Sequence, residues 1–223
     1  MLQIIREEKH WLAVHKPAGL IVERNPFESP TVEEWVAGYL SQSVRQPFVG
    51  VVHRLDKPVS GVLLFAKRRS ALRRLHTAFR LRQVRKRYLA VVFGTPPAAR
   101  GTLTHWLKRS VDRKRSVEAT RGEKGATPCQ LRWRILQQHE QLYLLEVQPL
   151  SGRFHQIRIQ LALAQMPIVG DAAYGSTIAW QKGQIALHAW QLHFPYPDTQ
   201  QWHAVACLPK GEKWATWQLG HRP

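Results

Sequence analysis

Cysteine is scarce in this 223-residue chain, which contains only Cys129 and Cys207. The two lie far apart and neither belongs to a Cys-x-x-Cys pair, so the sequence predicts neither a disulfide framework nor a zinc site and fits a reducing cytoplasm. No apolar run approaches the ~18 residues that a membrane-spanning helix needs, and the first residues lack the apolar region of a signal peptide. We therefore expect a cytoplasmic protein with no membrane partner.

The common motifs of nucleotide and metal sites are missing as well. The chain has no Gly-x-Gly-x-x-Gly, no P-loop and no Gly-x-Ser-x-Gly motif, which disfavours dinucleotide-binding, NTP-binding and α/β-hydrolase functions. Eight histidines show no His-Glu-x-x-His or comparable ligand spacing: His53, His76, His105, His139, His155, His188, His193 and His203. Each is individually more typical of a hydrogen-bonded surface or core histidine, so no metal and no nucleotide cofactor are expected.

Acidic residues are few, with 15 against 33 basic residues and a formal net charge of +18. Such an excess indicates a polyanionic partner, although a solubilising basic surface is the alternative. No Asp or Glu occurs from Lys57 to Val111, and a helix predicted over 67–80 has an apolar face opposite an arginine-rich one. Because solvated faces usually mix charges of both signs, this clustering favours contact with phosphates.

Strand and helix patterns mix irregularly, which predicts an α+β fold with a largely antiparallel sheet. Thr31 and Glu34 form a capping box that begins a helix over about 32–42. The other predicted helices are 67–80, 153–164 and 212–219, and the predicted strands are 2–5, 11–14, 48–52, 62–66, 87–94, 102–107, 131–136, 142–147, 185–192 and 202–207. The polar segment from Ser110 to Thr127 is predicted to be a mobile loop rather than a domain linker. We expect a single domain over 1–223.

The stretch 51–66 carries the most unusual acidic residue of the chain. A tight polar segment with His53, Arg54 and Asp56 lies between two apolar runs, and the second run, 62–66, is predicted to be a buried strand. Asp56 is therefore expected on a rigid element at the rim of a core. A carboxylate in such a place belongs either to a functional site or to a structural ion pair, and the residues alone leave both possibilities open.

Two further polar residues stand at defined positions of predicted elements. Tyr88 begins the predicted strand 87–94. Arg158 falls next to the apolar face of the predicted helix 153–164, which half buries its aliphatic stem. A guanidinium in that position predicts a carboxylate partner.

Five motifs span nearly the whole chain in a fixed order. They are His15-Lys16-Pro17-Ala18-Gly19, His53-Arg54-Leu55-Asp56-Lys57-Pro58-Val59-Ser60-Gly61, Lys86-Arg87-Tyr88, Gly152-Arg153-Phe154-His155-Gln156-Ile157-Arg158 and the segment 167–175. In this order they resemble the signature segments of the RluA family of pseudouridine synthases, and Leu187-His188-Ala189 also has a family counterpart. The resemblance implies a pseudouridine synthase fold, with a mostly antiparallel, bent mixed β-sheet flanked by helices and loops. It also implies a cofactor-free isomerase that converts uridine to pseudouridine in structured RNA, either rRNA or tRNA.

The same resemblance implies roles for single residues. Asp56 is then the catalytic aspartate that attacks the target uridine, and Arg158 is the guanidinium that keeps Asp56 ionised. Tyr88 stacks on the uracil and accepts its proton, while Arg54, with His53 beside it, enters the RNA where the target base leaves the stack. Contacts to the RNA backbone are expected from the cationic face, namely from Arg69, Arg73, Arg74, Arg85 and Lys86.

Three positions depart from the family pattern. Val59 replaces a Thr, His15 replaces an Asn, and Gln160 stands where a His is common, but the aspartate, tyrosine and arginine positions are intact. We expect no small N-terminal RNA-binding domain before Leu2, and therefore expect the catalytic domain itself to bind RNA, as a monomer. The alternative function is that of an inactive RNA-binding or RNA-chaperone protein with the same fold.

Overall fold

The computed structural model describes residues 2–112, 114–196, 201–217 and 219. The chain divides into two compact units: unit 1 is Met1–Lys86 with His188–Pro209, and unit 2 is Arg87–Leu187 with Lys210–Pro223. No helix in these described ranges is both long and apolar enough to cross a membrane.

Strands and helices alternate irregularly along the chain. The strands are β1 (Gln3–Glu7), β2 (Trp11–Lys16), β3 (Gly50–Val51), β4 (Ser60–Ala66), β5 (Arg85–Phe93), β6 (Arg100–Arg109), β7 (Ser116–Ala119), β8 (Thr127–His139), β9 (Leu142–Pro149), β10 (Leu187–Pro195) and β11 (Trp202–Ala206). The helices are α1 (Val32–Ser41), α2 (Arg69–Arg80), α3 (Gln156–Leu163) and α4 (Glu212–Ala215), with a 3₁₀ turn at Ala172–Tyr174. The predicted α+β class is confirmed.

Unit 1 is built around β4, whose apolar residues are buried on both faces. β2 pairs antiparallel along one edge of β4, while the other edge pairs in parallel with β10 at Ser60 and Gly61 and antiparallel with β3 at Phe65 and Ala66. β1 extends the sheet beyond β2, and β11 extends it beyond β10. Buried residues of α2, such as Leu75, join the same core as Leu64 of β4.

Gly61 makes the pairing of β4 with β10 possible. Its φ is +127°, a conformation that side chains disfavour, and a Cβ at this position would lie 2.3 Å from the backbone oxygen of Ala189. The Ser-Gly step after the Asp56 loop is therefore a packing requirement.

Unit 2 contains an antiparallel sheet in the order β5-β9-β8-β6-β7. α3 packs against this sheet, and Leu107 of β6, Cys129 of β8 and Ile159 of α3 form a buried cluster. The helix predicted over 153–164 begins only at Gln156, because His155 has a left-handed backbone with φ 51°.

The prediction of a mobile loop from Ser110 to Thr127 is wrong in part. β7 lies inside this segment and pairs with the end of β6. Its first residue, Ser116, receives a tertiary anchor, because its backbone N–H donates to the Tyr174 hydroxyl and its own hydroxyl donates to the Phe154 carbonyl. Arg113 lies outside the described residues. α4 ends at Ala215, earlier than the predicted 219, and part of that predicted range is outside the described residues as well.

Candidate active site

The segment between Val52 and β4 forms a tight loop that carries Asp56. The Val59 N–H donates to the Asp56 carbonyl at 3.0 Å, which closes a turn. Leu55 and Val59 are buried, whereas Asp56 is only partly buried. Buried apolar side chains thus anchor the loop on both sides of the acid, as expected from the sequence.

Lys16, at the end of β2, forms hydrogen bonds that hold the Asp56 loop. Its side chain is fully buried. Its Nζ donates to three backbone carbonyls, those of Pro17, Leu20 and Lys57, at 2.9, 2.7 and 3.1 Å. The Lys57 carbonyl also accepts from the Gly19 N–H at 2.7 Å. Burial lowers the pKa of Lys16 to about 7, and the negative charge of Asp56 acts in the opposite direction. Lys16 therefore links the 17–20 turn to the Asp56 loop.

The two exposed cations of the loop each meet an acid from the segment 23–28. Arg54 Nη1 lies 2.8 Å from Glu23 Oε2, and Lys57 Nζ lies 2.8 Å from Glu28 Oε2. A cavity of 260 Å³ beside these groups is lined by residues 21–25, 54, 55 and 57. This volume lies slightly below the ~300–1,000 Å³ that is usual for ligand pockets.

His53 points into unit 1 rather than out of the loop. Its Nε2 accepts from the Leu64 N–H at 3.2 Å, and its ring stacks on Phe79 with centroids 5.1 Å apart. Burial lowers the pKa of His53 to about 3, and the positive charge of Lys86 adds to this shift. His53 is thus a neutral, inward-facing residue, whereas its neighbour Arg54 is exposed.

Arg158 of unit 2 is almost completely buried and has the carboxylate partner that its position predicts. Its Nε and Nη2 donate to the two carboxylate oxygens of Asp171, at 2.7 and 2.8 Å. Its guanidinium carbon lies 5.0 Å from the centre of the Tyr174 ring. A forked pair of this kind fixes the plane of the guanidinium. The pairing of Arg158 with Asp56 stays a prediction.

A chain of hydrogen bonds continues from Arg158 to β7. Its Nη1 donates to His155 Nε2 at 2.9 Å, and because a guanidinium has no acceptor, we assign the ring proton of His155 to Nδ1. Nδ1 then donates to the Tyr174 hydroxyl at 2.9 Å, which also accepts from the Ser116 N–H at 2.8 Å. The guanidinium of Arg158 is therefore linked, through His155 and the Tyr174 hydroxyl, to the first residue of β7.

Gln156 completes the polar interior of unit 2. Its Oε1 accepts from the Ser151 hydroxyl at 2.8 Å, and its Nε2 donates to Gln160 Oε1 at 2.9 Å. Gln160 in turn donates to the Leu103 carbonyl at 3.1 Å. Gln156 and Arg158 are thus buried and hydrogen-bonded, and the partly buried His155 is hydrogen-bonded as well, which gives this motif a structural basis.

The arginines predicted to contact a polyanion are mostly exposed. Exposed arginines on α2 and around it form what we call the cationic surface, made of Arg68, Arg69, Arg73, Arg74, Arg80, Arg82 and Arg85. Arg69 lies over the Phe48 ring at 5.3 Å, and Arg85 lies over the Trp202 ring at 5.2 Å. Lys86 differs, because it is partly buried and burial lowers its pKa to about 8. Tyr88 lies partly buried in β5, opposite Val147 of β9.

Some residues of this region were not singled out from the sequence. Lys16, Asp171 and Tyr174 all lie inside motifs quoted above, so the motif pattern itself was the signal that could have identified them. Glu23 and Glu28 belong to no motif. Only the structure pairs them with the cations of the loop.

Comparisons with known proteins match this chain to one protein family. Residues 10–163 match the family model described as RNA pseudouridylate synthase. The chain is 32% identical over 209 residues to ribosomal large subunit pseudouridine synthase C of Vibrio parahaemolyticus, a match that covers 91% of this chain and 64% of that protein. It is 31% identical over 222 residues to tRNA pseudouridine synthase C of Vibrio cholerae, with 90% and 88% covered. The chain thus spans less than two thirds of the ribosomal enzyme's length.

A solved structure shows the same fold. Human RNA pseudouridylate synthase domain containing 4 superposes with a TM-score of 0.78 at 22% sequence identity, and the match covers 96% of this chain and 90% of that one. Human RNA pseudouridylate synthase domain containing 1 gives a TM-score of 0.74 at 24% identity, with 94% and 84% covered. These likenesses confirm the predicted pseudouridine synthase fold.

Proposed function

The chain belongs to the RNA pseudouridylate synthase family, and on that basis we propose that it converts uridine to pseudouridine in structured RNA. The observation that carries the proposal is the family match over residues 10–163, which includes Asp56, Tyr88 and Arg158. The relatives are named for ribosomal and transfer RNA, so the substrate proposed here is rRNA or tRNA. We propose that units 1 and 2 act as one monomeric catalytic domain over 1–223 that needs no cofactor.

In the proposed reaction Asp56 is the nucleophile. Its carboxylate attacks the target uridine as the bond from the sugar to the uracil nitrogen breaks, and the uracil keeps the electron pair. The uracil rotates and its C5 bonds to the sugar carbon as the bond between that carbon and the Asp56 carboxylate breaks, which frees the carboxylate. C5 then loses a proton and the nitrogen gains one, so no atoms or electrons are exchanged with a cofactor. The anchored Asp56 loop supports this role, because a nucleophile must be held in position against its target.

Arg54 is proposed to enter the RNA stack when the target base leaves it. An enzyme cannot reach a base inside a stack, so the nucleotide is turned out and its place is filled. Arg54 is exposed, and its bond to Glu23 is a surface pair that can exchange for a phosphate or a base edge. His53 was predicted to share this role, but its inward hydrogen bond to Leu64 favours a function in holding the strand that follows the loop.

Tyr88 and Arg158 are proposed to act on the same uridine. Tyr88 supplies a ring for stacking on the uracil and an oxygen that accepts its proton. Arg158 supplies a buried positive charge, which is proposed to pair with the Asp56 carboxylate. The contacts of Arg158 with Asp171 and His155 support this role, since they hold the guanidinium in one orientation.

The cationic surface is proposed to bind the RNA backbone. Seven exposed arginines of unit 1 provide it, and a net charge of +18 attracts the phosphates from a distance. Among the five residues predicted for this contact, Lys86 has the weakest structural support, because it is partly buried and burial lowers the pKa of its amine to about 8.

The test is the substitution Asp56→Asn, which keeps the size of the side chain and removes its charge. We expect pseudouridine formation on total RNA from a synthase-deficient strain to fall below detection by mass spectrometry, while the Kd for RNA changes less than about twofold. Asp112→Asn, a change at an exposed acid of unit 2, serves as the matched control and should stay active. An active Asp56→Asn protein would refute the nucleophile, and an inactive wild type would favour the RNA-chaperone alternative.

A further inference from the structure

Three potential metal ligands that are far apart in sequence lie on one face of the unit 1 sheet. His15 of β2 pairs opposite Val62 of β4, and His188 of β10 pairs opposite Ser60 of the same strand. Positions 60 and 62 share a face, since side chains alternate along a strand. Cys207 follows β11, and its N–H donates to the Trp190 carbonyl at 3.0 Å, which places Cys207 beside β10.

The ligand atoms of these three residues are close together. One such atom from each of His15, His188 and Cys207 lies within 4.8 Å of the others. His188 Nε2 is 3.6 Å from Cys207 Sγ, and the rings of His15 and His188 have centroids 5.7 Å apart. In a tetrahedral zinc site, Zn–N and Zn–S bonds of about 2.1 and 2.3 Å place the nitrogen and the sulfur ~3.6 Å apart. The observed spacing of His188 and Cys207 therefore already matches such a site.

The surroundings also suit a metal-binding histidine. His188 Nδ1 lies 2.8 Å from the Ser60 hydroxyl, and a second ring nitrogen held by an oxygen is the usual means of orienting a histidine ligand. His15 and His188 are buried, whereas Cys207 is partly exposed, so an ion can approach from the side of Cys207. His15 is one of the positions at which the chain departs from the family pattern.

We propose that His15, His188 and Cys207 form a binding site for a thiophilic transition-metal ion of the zinc type, with solvent as the fourth ligand. Two imidazoles and one thiolate are a donor set that zinc prefers. None of the three ligands is among the residues proposed to act on the uridine, and the proposed chemistry needs no metal.

Binding requires a defined movement of protons. Without the ion, His188 Nε2 lies 2.9 Å from the Cys207 carbonyl, to which it donates if it carries the ring proton. With the ion bound, that proton resides on Nδ1 and is donated to the Ser60 hydroxyl oxygen, and the Nε2 lone pair binds the metal. Cys207 releases its thiol proton to solvent and binds as the thiolate. One proton therefore leaves the protein for each ion bound, and no redox step occurs.

The experiment uses cobalt as a spectroscopic probe on the full chain after treatment with a chelator. Titration with Co²⁺ should produce a near-ultraviolet thiolate-to-cobalt charge-transfer band that saturates at one equivalent, and an equivalent of Zn²⁺ should abolish it. Cys207→Ser should lose the band, and His15→Asn, which introduces the residue of the family pattern, should weaken Zn²⁺ binding at least tenfold. Circular dichroism checks that both variants are folded.

Cys129→Ser is the matched control, because Cys129 is a buried thiol of unit 2 that donates to the His105 carbonyl. It should retain the band and the affinity of the wild type. A band that persists in Cys207→Ser, or no band in the wild type, would show that the cluster is only a hydrogen-bonded network and would overturn the proposal. Because the readout is optical, the outcome is independent of pseudouridine synthase activity.

Discussion

The two acids that pair with the Asp56 loop should weaken RNA binding. Arg54 and Lys57 can contact phosphates only after they leave Glu23 and Glu28, so the ion pairs compete with the RNA. We therefore expect the double substitution of Glu23→Gln and Glu28→Gln to tighten RNA binding. The same change should lower the stability of the fold by no more than the two ion pairs contribute.

The size of the effect follows from the exposure of the pairs. The side chains of Arg54 and Glu23 are 65% and 47% exposed, and those of Lys57 and Glu28 are 50% and 44% exposed. Exposed pairs of this kind contribute about 0.2–1 kcal/mol each. Removing both should lower the Kd for RNA roughly 2- to 30-fold and should lower the free energy of unfolding by no more than about 2 kcal/mol.

The assay is fluorescence anisotropy of a labelled structured RNA at constant ionic strength, with urea unfolding measured in parallel. Glu140→Gln is the control, because it removes one negative charge from an exposed turn of unit 2 between β8 and β9. The competition argument is refuted if the double variant binds RNA no more tightly than the wild type. It is also refuted if Glu140→Gln alone produces the full gain, since the effect would then come from net charge.

Three further predictions concern the cationic surface, His53 and the contact of Gly61 with Ala189. Replacing Arg73 and Arg74 by Ala should reduce the slope of log K for RNA binding against log salt concentration by roughly 0.7–0.9 for each lost phosphate contact. Arg121→Ala in unit 2 should leave this slope unchanged. An unchanged slope in the Arg73 and Arg74 variant would mean that the two arginines are only surface charge. The pKa of His53 is lowered to about 3, so below pH 6.5 the unfolded state binds a proton that the folded state excludes. The free energy of unfolding should therefore fall as pH decreases toward 3, and this group should raise the unfolding constant by up to about tenfold per pH unit. In urea unfolding between pH 6 and 4, the free energy of unfolding of His53→Gln should depend less steeply on pH than that of the wild type, by the equivalent of one proton. Gly61→Ala should destabilise unit 1 by about 3 kcal/mol or more, because the added Cβ would collide with the backbone of Ala189. Gly38→Ala, on the exposed side of α1, should stabilise the protein by about 0.5–1 kcal/mol. Similar denaturation curves for these two variants would contradict the argument.

Elements with a strong local signal were predictable from the sequence. The capping box of Thr31 and Glu34 located α1 within one residue of its observed end, and the apolar run before Lys67 located β4. β7 was missed because its four residues are held by β6 and by the Tyr174 hydroxyl, and no local pattern records such contacts. The late start of α3 was missed for a similar reason, since the left-handed conformation of His155 accompanies its bonds to Arg158 and Tyr174.

The candidate site was predictable to the extent that its residues stand in motifs. The motifs predicted Asp56, Tyr88 and Arg158, and the carboxylate partner of Arg158 was expected from its position beside an apolar face. They could not predict that Glu23 and Glu28 pair with the loop, because an exposed ion pair depends on where two loops meet. The cluster of His15, His188 and Cys207 was also invisible, since only the strand register brings these residues together.

The backbone of the Asp56 loop is held by buried hydrogen bonds, whereas its charged side chains are held by exposed ion pairs. The loop backbone is held by Lys16, whose buried Nζ donates to three carbonyls, and the loss of these buried hydrogen bonds would be costly even though the Lys57 carbonyl also accepts from the Gly19 N–H. The loop side chains Arg54 and Lys57 are held by exposed carboxylates, which solvent and salt already weaken. If Asp56 is the nucleophile, as proposed above, both properties are needed at once, because Asp56 must remain in place while the neighbouring cations exchange partners with each RNA. A change at Lys16 should therefore impair the reaction itself, whereas changes at Glu23 and Glu28 should affect mainly the binding of RNA.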